Sequence, residues 1–261
     1  MEKRTDKNSY TILFAVGMVL VVGSLLAFLA GFLKPTIEEN KRLEKQQNIL
    51  YTMGVNNNEA GSAVFVSTDE APALFEKYIT KQLVLEVENG EVTSEVGREE
   101  YIKTNGKEPY LIDVKKQQTR AKAGKARKLP LFIGEKEGKT FYIAPIRGKG
   151  LWDAIWGYVA MDENMVIQGV YFDHKGETPG LGANIKQRYF MDDFTGEYLL
   201  KESGEFAGIT VSKSNADPIN EDKKDFEIDA IAGATITGDG VSAMIKKDLR
   251  LYVPYFKKLK K

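Results

Sequence analysis

Apolar residues are distributed very unevenly along the chain. Tyr10 to Leu33 runs 24 residues without a charge. As a helix it would span roughly 36 Å, against a hydrocarbon core of about 30 Å. A secretory signal has a shorter apolar run, about 7–15 residues, ending in small residues at a cleavage site. No Ala-x-Ala precedes Lys34, so the pattern predicts an uncleaved single-span anchor over 10–33. Lys3, Arg4 and Lys7 lie before it, but Lys34, Lys41, Arg42 and Lys45 put basic charge behind it too. Loop charge is therefore a weak guide, and a long following domain can be translocated whatever its charge. The orientation taken is a short cytoplasmic N-terminus, 1–9, with the main domain outside. Gly23, Ala27 and Gly31, with Ser24 alongside, form a small-residue face that suits a partner helix. Glycine is also simply common in membrane helices, and the two readings are level.

Beyond the anchor the pattern changes. Pro35 is expected to end the spanning helix, with Thr36 capping a new, charged and weakly amphipathic one (Leu43, Gln46, Gln47, Leu50). Residues 34–54 thus read as a juxtamembrane helix or stalk, and 55–261 as one domain. Runs rich in β-branched and aromatic residues predict strands over Lys81–Val87, Thr140–Ile146, Trp156–Met161, Val166–Phe172 and Phe206–Val211. Asp162-Glu163-Asn164 is expected to turn between two of them. Helical spacing predicts Leu74–Tyr78, Ala183–Phe190 and Val241–Tyr252. The mixture indicates an α+β fold.

Composition narrows the chemistry. With 37 Lys+Arg against 37 Asp+Glu, the 261-residue chain has no net charge to drive nucleic-acid binding. No cysteine means no disulfide, no thiolate metal site and no thiol nucleophile, and a single His excludes a multi-His metal centre. Any redox chemistry would need an organic cofactor. Lys115 to Lys128 holds seven basic residues and no acidic one. A nucleic-acid or lipid-headgroup patch would suit it, but it lacks interleaved aromatics, and a solvated loop is the preferred reading.

The stretch Asp229-Ala230-Ile231-Ala232-Gly233-Ala234-Thr235-Ile236-Thr237-Gly238 carries the most information. Gly233, Gly238 and Gly240 permit positive φ and close backbone approach. Val241, Met244, Ile245, Leu249 and Tyr252 follow at helical spacing, which starts a helix near residue 240 with Asp239 as its cap. Two threonine hydroxyls just before a helix N-terminus suit a phosphate, although Asp239 would have to point away. On composition alone such a Gly/Thr turn is an ordinary cap.

The stretch resembles the flavinylation motif Asp-x-x-(Ser/Thr)-Gly-Ala-Thr-x-Thr of FMN-binding domains. Asp229 matches the leading acid, Gly233, Ala234 and Thr235 the central triplet, and Thr237 the last threonine; Ala232 stands where Ser or Thr is usual. His174-Lys175-Gly176-Glu177-Thr178-Pro179-Gly180-Leu181-Gly182 and Gly148-Lys149-Gly150-Leu151-Trp152-Asp153 are similar to two further stretches of these domains. The resemblance implies a mixed α/β FMN-binding domain outside the membrane. It implies FMN joined to Thr237 by a phosphodiester, installed from FAD by a flavin transferase of ApbE type. Gly233, Ala234, Thr235, Asp229, Glu177, Thr178, Gly180, Leu181, Gly182, Leu151 and Trp152 are its implied cofactor-site residues, with Asp229 a recognition or orienting residue for maturation. His174 is expected to make a structural hydrogen bond rather than to shuttle protons.

Two sister complexes carry such subunits: the sodium-pumping NADH:quinone oxidoreductase and the Rnf electron-transfer complex. The stretch 48–54 and Gly150-Leu151-Trp152 followed by Ile155-Trp156-Gly157-Tyr158 look more like the first. That resemblance implies an electron relay from NADH to ubiquinone coupled to sodium export. It also implies partners of NqrA, NqrB, NqrD, NqrE and NqrF type, and a bacterial inner membrane. An RnfG-type protein or a stand-alone membrane-anchored flavin reductase is the alternative. No catalytic residue and no metal site is expected in the chain itself.

Overall fold

The computed structural model describes residues 8–59, 61–215, 217 and 220–260. Lys3, Arg4 and Lys7, on which the orientation reading leans, lie outside the described residues. The chain divides into two compact units, Met1–Glu44 and Lys45–Lys261.

The first unit is helical. Helix α1, Asn8–Thr52, begins in it and reaches a mean hydropathy of 2.8 over its most apolar 18 residues, none of them buried. A core helix of that composition would be covered, so length, composition and exposure together fit a membrane span. Contrary to expectation, Pro35 lies inside the helix and does not end it. A proline removes one rung of the hydrogen-bond ladder, which a helix with strong formers on both sides survives. The Glu39–Arg42 pair, bonded at 2.8 Å through Nε, supports the turn that follows.

The second unit is built on a six-stranded antiparallel sheet. Its strands are β1 (Ile79–Glu88), β2 (Glu91–Gly97), β3 (Arg127–Lys136), β4 (Lys139–Lys149), β5 (Ala154–Met161) and β6 (Ile167–His174). They lie in the order β2-β1-β3-β4-β5-β6. Two-residue hairpins at Asn89-Gly90 and Glu137-Gly138 have positive φ at both positions, as type I′ turns demand. Asp162 forms the expected turn before β6, its carboxylate accepting the amides of Asn164 and Val166. Strand β5 is buried almost throughout, so both faces of the sheet are covered there. The edge strand β2 alternates exposed and half-buried, with Glu91 and Glu95 discouraging further pairing.

The helices are α2 (Ala71–Tyr78), α3 (Arg98–Asn105), α4 (Val114–Lys122), α5 (Arg188–Asp193), α6 (Thr235–Leu249) and α7 (Val253–Leu259). The end of α1 also belongs to this unit: Ile49, Leu50 and Tyr51 are buried in the core.

Several expectations are corrected. The basic run is no loop: α4 takes most of it, capped by the Asp113 carboxylate at the Lys116 amide, and β3 takes Arg127 and Lys128. Phe206–Val211 is strand only at Thr210–Val211 (β7), which pairs in parallel with Glu227–Ile228 (β8), because Gly208 turns the chain at φ +69°. Ala183–Phe190 splits at Gln187, which is extended, into a 3-10 turn (Gly182–Lys186) and α5. Helix α6 starts at Thr235 rather than near 240; Ala234 precedes it, and Asp239 is an exposed residue of the helix, not its cap. Gly238 and Gly240 sit inside that helix because it packs closely there: an added Cβ would meet Val211 at one and the Lys149 carbonyl at the other.

Candidate functional site

Strands β4 and β5 pair as far as Lys149 and Ala154, leaving Gly150–Asp153 as the turn between them. The Gly150 amide closes that turn on the Asp153 carbonyl at 2.9 Å. Strand β6 pairs with β5 up to His174 opposite Ile155, so the chain leaving β6 runs beside the turn. Helix α6 lies along β4, with Met244 against Gly148 and Gly240 against the Lys149 backbone. One turn before Gly240, the same helix delivers Thr237 to the same place. Three stretches far apart in the chain therefore converge.

They meet at two buried side chains. Thr237 is 1% exposed, and its Oγ1 donates to Oε2 of Glu177 at 2.6 Å. Glu177 is 4% exposed, and its carboxylate accepts three consecutive amides: Leu151 at 3.3 Å, Trp152 at 2.9 Å and Asp153 at 3.4 Å. Burial pushes the Glu177 carboxyl up. The Thr237 hydroxyl and the amides of Trp152, Asp153 and Leu151 together outweigh it and hold the group below its ordinary value. Among the described residues no lysine or arginine is paired with it. The Glu177 amide in turn donates to Nδ1 of His174 at 3.2 Å, the structural bond expected of that histidine. Gly150 and Gly182 leave room for this arrangement. A Cβ on Gly150 would sit 2.6 Å from Glu177 Oε1, and one on Gly182 would sit 2.5 Å from Thr237 Oγ1.

Around the buried pair the surface is apolar. Leu151, Trp152, Leu181 and Ile236 are all exposed, Trp152 by 66%, which rules out a core anchor for that indole. Trp152 Nε1 donates to the Thr178 hydroxyl at 3.2 Å, tying two of the motif stretches together. Leu181 also packs where a Cβ on Gly233 would fall, and Gly233 takes the positive φ expected of it (+69°). Gly180 is exposed with φ +78° at the tip of its turn. Ala234 is buried ahead of α6, Thr235 is exposed in its first turn, and no side chain caps that helix.

Asp229 lies elsewhere. Its carboxylate accepts the Asp217 amide at 3.3 Å, its own amide donates to Asp193, and it lines a cavity of about 60 Å³ with Ser212, Ser214, Asn220 and Asp225. No hydrogen bond joins it to Thr237 or Glu177 among the described residues. Beside this cluster Glu197 is fully buried and accepts from Asn220 Nδ2 at 3.0 Å. Burial drives its carboxyl up to about 7, against the Asn220 bond and Lys223. Sequence alone groups Glu177 with the general cofactor neighbours and gives no sign that it holds Thr237. Sixty residues separate the two, and no local spacing links them.

Residues 150–250 match the model of the FMN-binding domain family. Over 245 residues the chain is 30% identical to the C subunit of the Na(+)-translocating NADH-quinone reductase of Pseudomonas aeruginosa, covering 92% of this chain and 90% of the relative. It is 28% identical to the corresponding protein of Neisseria meningitidis serogroup B, covering 100% and 98%. The crystal structure of the same reductase component from Parabacteroides distasonis superposes with a TM-score of 0.67 at 30% identity, over 86% of this chain and 96% of that one. The structure of Shewanella oneidensis NqrC gives 0.62 at 25%, over 85% and 98%. With similarity running along nearly the whole length in sequence and fold, the chain belongs to the NqrC family, the C subunits of Na(+)-translocating NADH-quinone reductases.

Proposed function

We propose that the chain carries FMN as a phosphodiester on Thr237 and serves as the electron-relay component of a sodium-translocating NADH–quinone reductase. The observation that carries this is the single hydroxyl of Thr237, set where the three motif stretches meet and hydrogen-bonded to Glu177. The names of the relatives, all components of that reductase, support the complex, and the family model supports FMN.

The residues present suit the cofactor. A flavin needs an apolar surface for its ring and polar groups for its phosphate and edges. Leu151, Trp152, Leu181 and Ile236 offer the first. The Thr237 hydroxyl, the Thr178 hydroxyl and the uncapped first turn of α6 offer the second. Gly150, Gly182 and Gly233 let the backbone come close. Bound FMN supplies the redox chemistry, and the protein fixes its position and tunes its potential. Thr237 acts once, as the acceptor during maturation, and is a tether afterwards. A covalent tether keeps the cofactor on a domain that has no free FMN pool around it. Asp229, in its separate acidic cluster, serves recognition by the transferase.

Helix α1 anchors the protein in the bacterial inner membrane, with the N-terminus in the cytoplasm and the flavin domain in the periplasm. The partners are proteins of NqrA, NqrB, NqrD, NqrE and NqrF type, and maturation uses an ApbE-type flavin transferase. Co-expression with that transferase, denaturation and a gel scanned for flavin fluorescence test the reading. The unmutated chain should fluoresce and Thr237→Ala should not. A dark unmutated chain, or a fluorescent variant, would overturn it.

A further inference from the structure

We propose that Glu177 is the proton acceptor for attachment of the flavin, so that the chain receiving the cofactor activates its own acceptor hydroxyl. This rests on the covalent-flavin reading above.

A threonine in a helix needs no carboxylate to satisfy its hydroxyl. Ser242, on the same helix, donates to the carbonyl one turn back, Gly238, at 3.0 Å. Thr237 instead crosses to a residue of another motif and donates its only proton to an anion at 2.6 Å. No donor among the described residues occupies the Oγ1 lone pairs, and with the side chain 1% exposed the transferase must uncover Thr237 before FAD can meet them. The carboxylate is ionised and fixed in place by the amides of Leu151, Trp152 and Asp153, which weaken it as a base but aim Oε2 at the hydroxyl, and no lysine or arginine among the described residues is paired with it. The charged groups nearest along the chain are engaged with each other, Lys175 with Asp153 at 2.7 Å. The imidazole of His174 accepts the Glu177 amide. Such a carboxylate at an attacking hydroxyl is what phosphoryl transfer uses, where positioning and a proton acceptor are most of what the protein supplies.

The step balances with FAD as the donor. Thr237 Oγ1 attacks the phosphorus on the riboflavin side of the dinucleotide. The Oγ1–P bond forms, the P–O bond of the pyrophosphate breaks, and AMP leaves with the bridging oxygen. The hydroxyl proton passes to Glu177 Oε2 and from there to solvent.

The test uses the purified full-length apoprotein in detergent, the flavin transferase and FAD. Initial rates of covalent incorporation are read by in-gel fluorescence and intact mass from about pH 5 to pH 9. Glu177→Gln keeps an oxygen for the Trp152 and Asp153 amides, gives up the long bond to Leu151, and cannot take the proton. It should melt like the unmutated chain, while kcat for incorporation falls roughly 100-fold or more, KM for the chain stays unchanged, and the residual rate climbs with pH. Glu177→Asp, which keeps the charge but draws it back from Thr237, should fall between the two. Incorporation into Glu177→Gln within about threefold of the unmutated rate, or a loss confined to KM, overturns the proposal. If that variant does not fold, Glu177→Asp decides by the same criterion. Failure of the unmutated chain to incorporate flavin, or labelling of Thr237→Ala, would instead sink the covalent-flavin reading itself.

Discussion

Two buried carboxylates in this domain are held in opposite ways. Asp248, fully buried on α6, meets Arg127 of β3 at 3.0 Å, the Arg147 amide of β4 at 2.8 Å and the Gln118 side chain of α4 at 3.1 Å. Its charge is matched by a cation, and its bonds tie four elements together. Glu177 is nearly as buried, but its charge is met only by amides and by one hydroxyl. The first arrangement braces the fold. The second holds an anion against the hydroxyl proposed as the flavin acceptor. Burial alone therefore does not distinguish structure from chemistry; the nature of the partners does.

The largest effect that would sharpen this contrast is on stability. Asp248→Ala strands Arg127 in the interior and should cost roughly 3–5 kcal/mol in urea unfolding of the domain. If the loss is instead below about 1 kcal/mol, Asp248 is no brace. Next comes Gly182→Ala. Its methyl would fall 2.5 Å from Thr237 Oγ1 and 2.6 Å from Glu177 Oε2. It should cost about 1–3 kcal/mol and break the Thr237–Glu177 bond, so flavin incorporation should fall even where the chain remains folded. Incorporation at the unmutated rate would show that the pair need not touch.

Glu197 extends the comparison to a third carboxylate, one that burial leaves poorly compensated. Its pKa in the folded chain is about 7, above its ordinary 4.5, so the folded state holds the proton between those values. The stability this proton contributes is fully present below about pH 4.5 and lost as the pH rises through about 7. Glu197→Gln should remove that slope and stabilise the domain above pH 7 by roughly 1–3 kcal/mol, read from thermal melts across the range. An unchanged slope would mean that Lys223 and Asn220 compensate the charge after all.

The three motif stretches were legible because their residues are contiguous and resemble a known family. Four of the five strands expected from β-branched runs are present with small shifts at their ends. Several misses share one cause: long-range packing decided what local chemistry left open. Gly238 and Gly240 look like the end of a turn, yet they are helical because α6 must approach Val211 and Lys149 closely. Lys115–Lys128 looks like a solvated run, yet it supplies both α4 and Arg127, the buried partner of an acid 121 residues away. Asn89-Gly90 is a hairpin signal that could have been read directly, and it would have revealed β2. The Glu177–Thr237 bond had no local signature, because it is made only when the chain leaving β6 and helix α6 are both brought against the β4–β5 turn.

The exposed indole of Trp152 has a practical use. The chain has two tryptophans, Trp152 on the rim of the site and Trp156 four residues on in β5. Tryptophan emission overlaps flavin absorption, so a flavin held at Thr237 would quench both by energy transfer. The protein thus contains an intrinsic optical reporter of its own loading, readable in real time without a label.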